Sequence, residues 1–123
     1  MDGVELHAGH GNLIQQFMSP WANQRADQYG GSIENRLRFA FEVIGEVRRN
    51  VGGDFVVGMR ISGDEFVSGG LTLKDVQDIA RRLAAKGLDL ILAARNCTQL
   101  QPLASDIELR QDRSVSLWEF DAA

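Results

Sequence analysis

Two histidines, His7 and His10, stand three residues apart in the stretch HAGHGN, and the chain has no others. They follow the short apolar run GVEL and precede Gly11. If GVEL is a strand, His7 lies at its C-terminal end and His10 in the loop beyond. In parallel α/β folds, ligands bind outside the carboxyl ends of strands. Arg60 occupies the same kind of place, near the end of the β-branched run DFVVGMRIS (54–62). Two imidazoles and a guanidinium would then share one rim. Imidazole N–H groups can donate to an anionic or carbonyl oxygen. A guanidinium can hold a heterocycle or a developing negative charge.

Other chemistries compete for these residues. The histidines can be ordinary loop residues. As two metal ligands they would serve a small metal-dependent hydrolase, but that needs a third ligand, and Cys97 is the only remaining cysteine or histidine. Arg60 can simply pair with Asp64 or Glu65. The charged run ENRLR reads, by itself, as a solvated helix face.

The elements that must position these groups follow from spacing. GVEL reads as a strand, and LIQQF (13–17) as a single helical turn. SPWANQRADQYGGS, with Pro20 and Gly30-Gly31, has loop chemistry. In SIENRLRFAFEVIGEVRRNVGG, residues Leu37, Ala40, Phe41, Ile44, Val47 and Val51 recur at helical spacing. Ser32 can cap the start of that helix, Glu34 suits its first turn, and Arg48 and Arg49 its last. DFVVGMRIS is a second strand and GDEFVSGG a loop. LTLKDVQDIARRLAAKG is a helix, opened by a Thr72–Asp75 capping box, with Val76, Ile79, Ala80 and Leu83 on one face and Gly87 as its stop. LDLIL (88–92) is a third strand. Helices alternating with strands imply parallel strands and right-handed crossovers. Nearly continuous apolar runs such as FVVGM and LDLIL suit parallel strands buried on both faces.

Beyond Leu92 no period is sustained. Pro102 and scattered charges interrupt the tail, and only SVSLWEF alternates, as an edge strand would. No structure is assigned to residues 92–123.

The totals bound the rest. The chain has 123 residues, 44% of them hydrophobic and 24% charged, which is globular composition for one domain. A net charge of -4 gives no basic face for nucleic acid. No apolar run approaches the roughly 18 residues of a membrane span, and MDGVELHAGH carries no signal-peptide pattern. One cysteine builds no disulfide framework, and the expected compartment is the cytoplasm.

Taken in order, the motifs resemble a known family. H-x-x-H-G at His7–Gly11, QF-x-SP, N-x-R-x-D-x-YGGS-x-ENR-x-RF, and R-x-S at Arg60 are similar to the old yellow enzyme family. These are NADH:flavin oxidoreductases built on a TIM barrel that binds FMN. The branch most resembled contains trimethylamine dehydrogenase, 2,4-dienoyl-CoA reductase and amine demethylases. The resemblance covers residues 2 to 91.

The resemblance implies roles. His7 and His10 match the pair that hydrogen-bonds the substrate's oxygen or anion over the flavin. Arg60 matches the arginine against the flavin ring, where a positive charge stabilises the reduced, anionic cofactor. Tyr29-Gly30-Gly31-Ser32 and Glu34-Asn35-Arg36 match a brace at the top of the barrel and read as structural. The implied cofactor is FMN, with NADH or NADPH as electron donor. The implied substrate is a small molecule, an N-methylated amine or an enone or enoyl compound. Asn12 stands where many members have a proton-donating tyrosine, and an amide is no acid at neutral pH. That departure favours amine oxidation over alkene reduction.

A complete (β/α)8 barrel needs eight strand–helix units and about 250 residues. The expected fold is therefore a partial TIM barrel, roughly strands four to six with their helices, over residues 1–91. Residues 92–123 are expected to be a divergent tail, with a shifted reading frame as the hypothesis for it. Three strands cut from a closed barrel leave unpaired edges and an uncovered inner face, so marginal stability or self-association is expected. The alternative reading is a non-catalytic remnant that does not bind flavin.

Overall fold

The computed structural model describes residues 2–94, 98, 100–111 and 113–119. Cys97 lies outside the described residues. The element order is β1 (Gly3–Ala8), α1 (Leu13–Met18), α2 (Ile33–Asn50), β2 (Val56–Ile61), α3 (Leu73–Ala84), β3 (Asp89–Ala94), α4 (Gln101–Gln111) and β4 (Val115–Glu119).

The four strands form one sheet in the order β1-β2-β3-β4, and every pairing is parallel. Each strand adds on the same side of the last. Crossovers of a single hand then place every helix on one face. That is the plan of a barrel segment, and it differs from a doubly wound sheet, whose order reverses.

Alternation along the strands separates the two faces. Ala8, Val57, Met59, Ile61, Leu90 and Leu92 are buried, and they cluster with Leu37, Ala40 and Ile44 of α2 and Val76, Ile79 and Leu83 of α3. Burying a side chain of this size contributes about 1.5–3 kcal/mol, so the helical cover dominates the stability of the slice. Among the described residues, no helix covers the opposite face. Val56 there is 51% exposed. The expectation that these strands are buried on both faces is therefore not met: one face of the sheet faces solvent.

The helix ends are as the sequence dictates. The Ser32 side chain accepts a hydrogen bond from the Asn35 N–H, and Thr72 and Asp75 form a reciprocal capping box. Arg48, in the last turn of α2, donates to the carbonyls of Phe55 at 2.8 Å and Gly87 at 2.7 Å. One side chain thus ties the end of α2 to the approaches of β2 and β3.

The tail differs from the expectation of no assigned structure. β3 continues to Ala94, α4 follows, and SVSLWEF supplies the edge strand β4, pairing Leu90↔Val115 through Ala94↔Glu119. In α4, Leu103, Ala104 and Ile107 are buried while Leu109 is 87% exposed. That outward leucine, with Pro102 in the first turn, blurs the helical period.

Candidate functional site

β1 delivers His7 to the uncovered face and ends at the fully buried Ala8. The chain then turns through His10 at φ 53 and Gly11 at φ 74. Two successive left-handed residues reverse the backbone in the least length, and glycine takes the second at no steric cost. The turn brings the His7 and His10 rings edge-on, with centroids 5.2 Å apart and planes at 65°. Both residues are exposed. Both side chains are thus accessible at the strand end.

Register places Arg60 beside them. His7 and Arg60 are direct partners across β1 and β2, so their side chains leave the same, uncovered face. Ile91 follows in that row on β3 and Ser116 on β4. The next row down is Glu5, Gly58 and Asp89. The Arg60 Nε lies 3.0 Å from Glu5 Oε1. Arg60 does not pair with Asp64 or Glu65, the partners read from proximity in sequence. Glu5 went unread as a site residue. Its one signal was a lone charge inside an apolar strand run.

Glu65 has a different task. Its Oε1 accepts from Gln15 Nε2 at 3.2 Å, and its Oε2 accepts from Ser19 Oγ at 2.7 Å and the Leu71 N–H at 2.6 Å. Asp64 turns onto its own loop, accepting from the Phe66 N–H at 2.6 Å.

The loop from Ser19 to Ser32 is tied down by hydrogen bonds, including those of Tyr29, Gly30, Asn35 and Arg36, which the resemblance reads as structural. Asn23 Nδ2 donates to the carbonyls of Phe17 and Tyr29 at 2.6 and 2.7 Å. Asn35 Nδ2 donates to the Gly30 carbonyl at 2.9 Å, and Arg36 Nε to the Met18 carbonyl at 2.9 Å. The Arg25 guanidinium beside Asp27 holds that carboxyl below the usual carboxylate range, helped by the Tyr29 N–H. At Gly30 a Cβ would lie 2.0 Å from the Arg25 carbonyl oxygen, so the loop closes only on a bare Cα.

Among the described residues, no group of three His, Cys, Asp or Glu side chains could hold a metal ion. The metal-hydrolase reading therefore lacks its third ligand there. Among the same residues, no helix is long and apolar enough to cross a membrane.

A parallel sheet whose strands add on one side, with its helices on one face, is the plan of a (β/α)8-barrel segment. The comparisons agree. The family model of the NADH:flavin oxidoreductase / NADH oxidase family matches residues 1–106. An N,N-dimethylglycine/sarcosine dehydrogenase from Chromohalobacter salexigens is 56% identical over 88 residues, 72% of this chain and 13% of the relative. An NADH oxidase from Thermoanaerobacter brockii is 45% identical over 101 residues, 82% of this chain and 16% of the relative. A solved structure of morphinone reductase in complex with tetrahydroNAD superposes with TM-score 0.76 at 31% identity, over 98% of this chain and 34% of that one. The chain belongs to the NADH:flavin oxidoreductase / NADH oxidase family. The old yellow enzyme resemblance holds, and so does the partial barrel. The match to residue 106 also runs past residue 91, where the motif resemblance stopped. The chain spans between 13% and 16% of the length of these two curated relatives.

FMN is the cofactor this family implies, and the uncovered face suits a flavin edge. Arg60, its side chain 47% exposed, stands on that face beside His7, with Glu5, Gly58 and Asp89 in the row below. A guanidinium so placed can hold a heterocycle or negative charge added to it.

Proposed function

We propose that this chain is a segment of an FMN-dependent oxidoreductase, with His7 and His10 as substrate ligands and Arg60 as the flavin-facing cation. The observation that carries the reading is the pairing of His7 with Arg60 in register on the uncovered face. Bound FMN would supply the hydride chemistry, exchanging electrons with NADH or NADPH and with a small organic substrate. The chain's own residues would do the rest. The His7 and His10 N–H groups would donate to an oxygen or anion of the substrate, holding it at the strand end. Arg60 would stabilise negative charge added to the flavin.

Asn12 begins α1, its carbonyl accepting from the Gln16 N–H at 3.0 Å, and its side chain makes no cap hydrogen bond. An amide there offers no acidic proton at neutral pH. This supports oxidation of a small N-methylated amine over reduction of an enone or enoyl compound, in keeping with the dimethylglycine/sarcosine dehydrogenase among the relatives.

The test is a titration of the purified chain with FMN, following flavin fluorescence. Saturable quenching that weakens about tenfold in Arg60→Ala, about 1.4 kcal/mol, supports the reading. No binding at high micromolar FMN sinks it and favours the non-catalytic remnant. A shifted reading frame from about residue 92 is a separate proposal about the coding DNA. It requires that one of the other two frames resumes a barrel pattern, and translating both decides it.

A further inference from the structure

The turn that carries His10 is expensive. A non-glycine residue in the left-handed region costs of order 1 kcal/mol and persists only where its surroundings over-determine it. His10 sits there at φ 53. The groups that hold it lie outside the His7, His10 and Arg60 set.

Gln15 is 6% exposed, and both ends of its amide are hydrogen-bonded. Its Oε1 accepts from the Gly11 N–H at 2.9 Å, with Ser62 Oγ also in reach at 3.5 Å. Ser62 Oγ accepts from the His10 N–H at 3.3 Å. The amide's other end donates to Glu65 at 3.2 Å. That contact sets the amide's direction. Flipped, the NH2 would face the Gly11 N–H, and the oxygen would face a carboxylate. Glu65 is itself fixed from the far side by Ser19 Oγ and the Leu71 N–H. A chain of hydrogen bonds thus runs from the end of the β2–α3 loop, through a buried amide, to the backbone of the His10–Gly11 turn.

We infer that Gln15 and Glu65 are positioning residues. Glu65 orients the Gln15 amide, and that amide locks the turn that sets the His10 imidazole against His7. The consequence for substrate rests on the proposed reading of His10. The positioning itself does not.

The test is solution NMR of the full chain without FMN or substrate, comparing the unaltered protein with Gln15→Ala and Glu65→Ala. It is run where circular dichroism shows each variant folded. The Gly11 amide should exchange at least about tenfold faster in both variants. The cross-peak between the His7 and His10 rings should fall at least about threefold, as expected once the turn is no longer over-determined. The Asp75 amide, held by Thr72 in the α3 capping box, should not change. A generally loosened fold would move Asp75 as well. Glu65→Ala is the decisive variant, because Glu65 touches neither His10 nor Gly11. A folded Glu65→Ala with unchanged His10 and Gly11 signals overturns the inference. If that variant does not fold, the unaltered chain decides. Gly11 is an exposed loop residue, and its amide should be protected at least about tenfold over the unstructured rate. Exchange at the unstructured rate overturns the inference. Failure of the chain to bind FMN would defeat the proposed function and leave these results standing.

Discussion

Arg60 and Glu5 meet diagonally across β1 and β2, Nε to Oε1 at 3.0 Å, on the sheet face away from the described helices. The two side chains are 47% and 36% exposed. Exposed pairs of this kind are worth about 0–1 kcal/mol. Glu5 therefore matters less for stability than for what it does to the cation.

Glu5→Gln should leave the thermal midpoint nearly unchanged and tighten FMN binding by about threefold, because the freed guanidinium attracts the anionic cofactor. Raising the salt concentration should erase the difference. Fluorescence titration reads both, and weaker binding in Glu5→Gln would show that the carboxylate serves to aim Arg60 instead.

Thr72→Ala should cost about 1 kcal/mol at neutral pH by removing the α3 cap. Asp75 adds a pH dependence. The Thr72 backbone N–H, then its hydroxyl, hold the Asp75 carboxyl below its ordinary 3.8. A carboxyl lowered in the folded state contributes stability fully above its unfolded value and loses it as pH falls through the folded one. Asp75→Asn should therefore destabilise the chain at pH 7, and the gap to the unaltered protein should close below about pH 4. Urea melts from pH 7 to pH 3 give the comparison, and a gap constant with pH would refute it.

Two glycines should respond oppositely to alanine. At Gly30 the new methyl would strike the Arg25 carbonyl at 2.0 Å, and the brace would have to open. A loss of about 2 kcal/mol or more is expected. At Gly45, within α2, nothing lies within 4 Å of the new methyl. Alanine there should stabilise by about 0.5–1 kcal/mol. Denaturant midpoints of the two variants should fall on opposite sides of the parent.

The uncovered face should drive self-association. Val56 is 51% exposed there, in a strand row with Gly3. Val56→Lys should shift the chain toward monomer in sedimentation velocity, since an exposed charge blunts sheet association. An unaltered distribution would place the contact elsewhere or show that there is none.

The legible parts of the fold were those governed by local chemistry. Ser32 and the Thr72–Asp75 box announced two helix starts, and Val76, Ile79 and Leu83 announced a buried face, because caps and helical period act within a few residues. α4 escaped because Leu109 points outward while Leu103 and Ile107 point in. The same division holds at the site. His7, His10 and Arg60 stood out by residue type and motif. Glu5 and Glu65 did not, since their importance comes from partners set by strand register and loop closure. No spacing rule joins Glu65 to Gln15, and Arg60 passed over its nearest acids in sequence for one on the neighbouring strand.

The strand order has a further consequence for how the chain is made. Each strand pairs with its predecessor in the chain, and none waits for a partner synthesised much later. The contacts are therefore of modest sequence separation for a β-containing fold, which favours fast folding. Emerging from a ribosome, β2 can dock on β1 while α3 is still in the exit tunnel, and β3 on β2 after it. Growth in this manner always leaves one fresh parallel edge exposed to the next segment. The stage at which this sheet is open to wrong partners is thus built into its order of assembly.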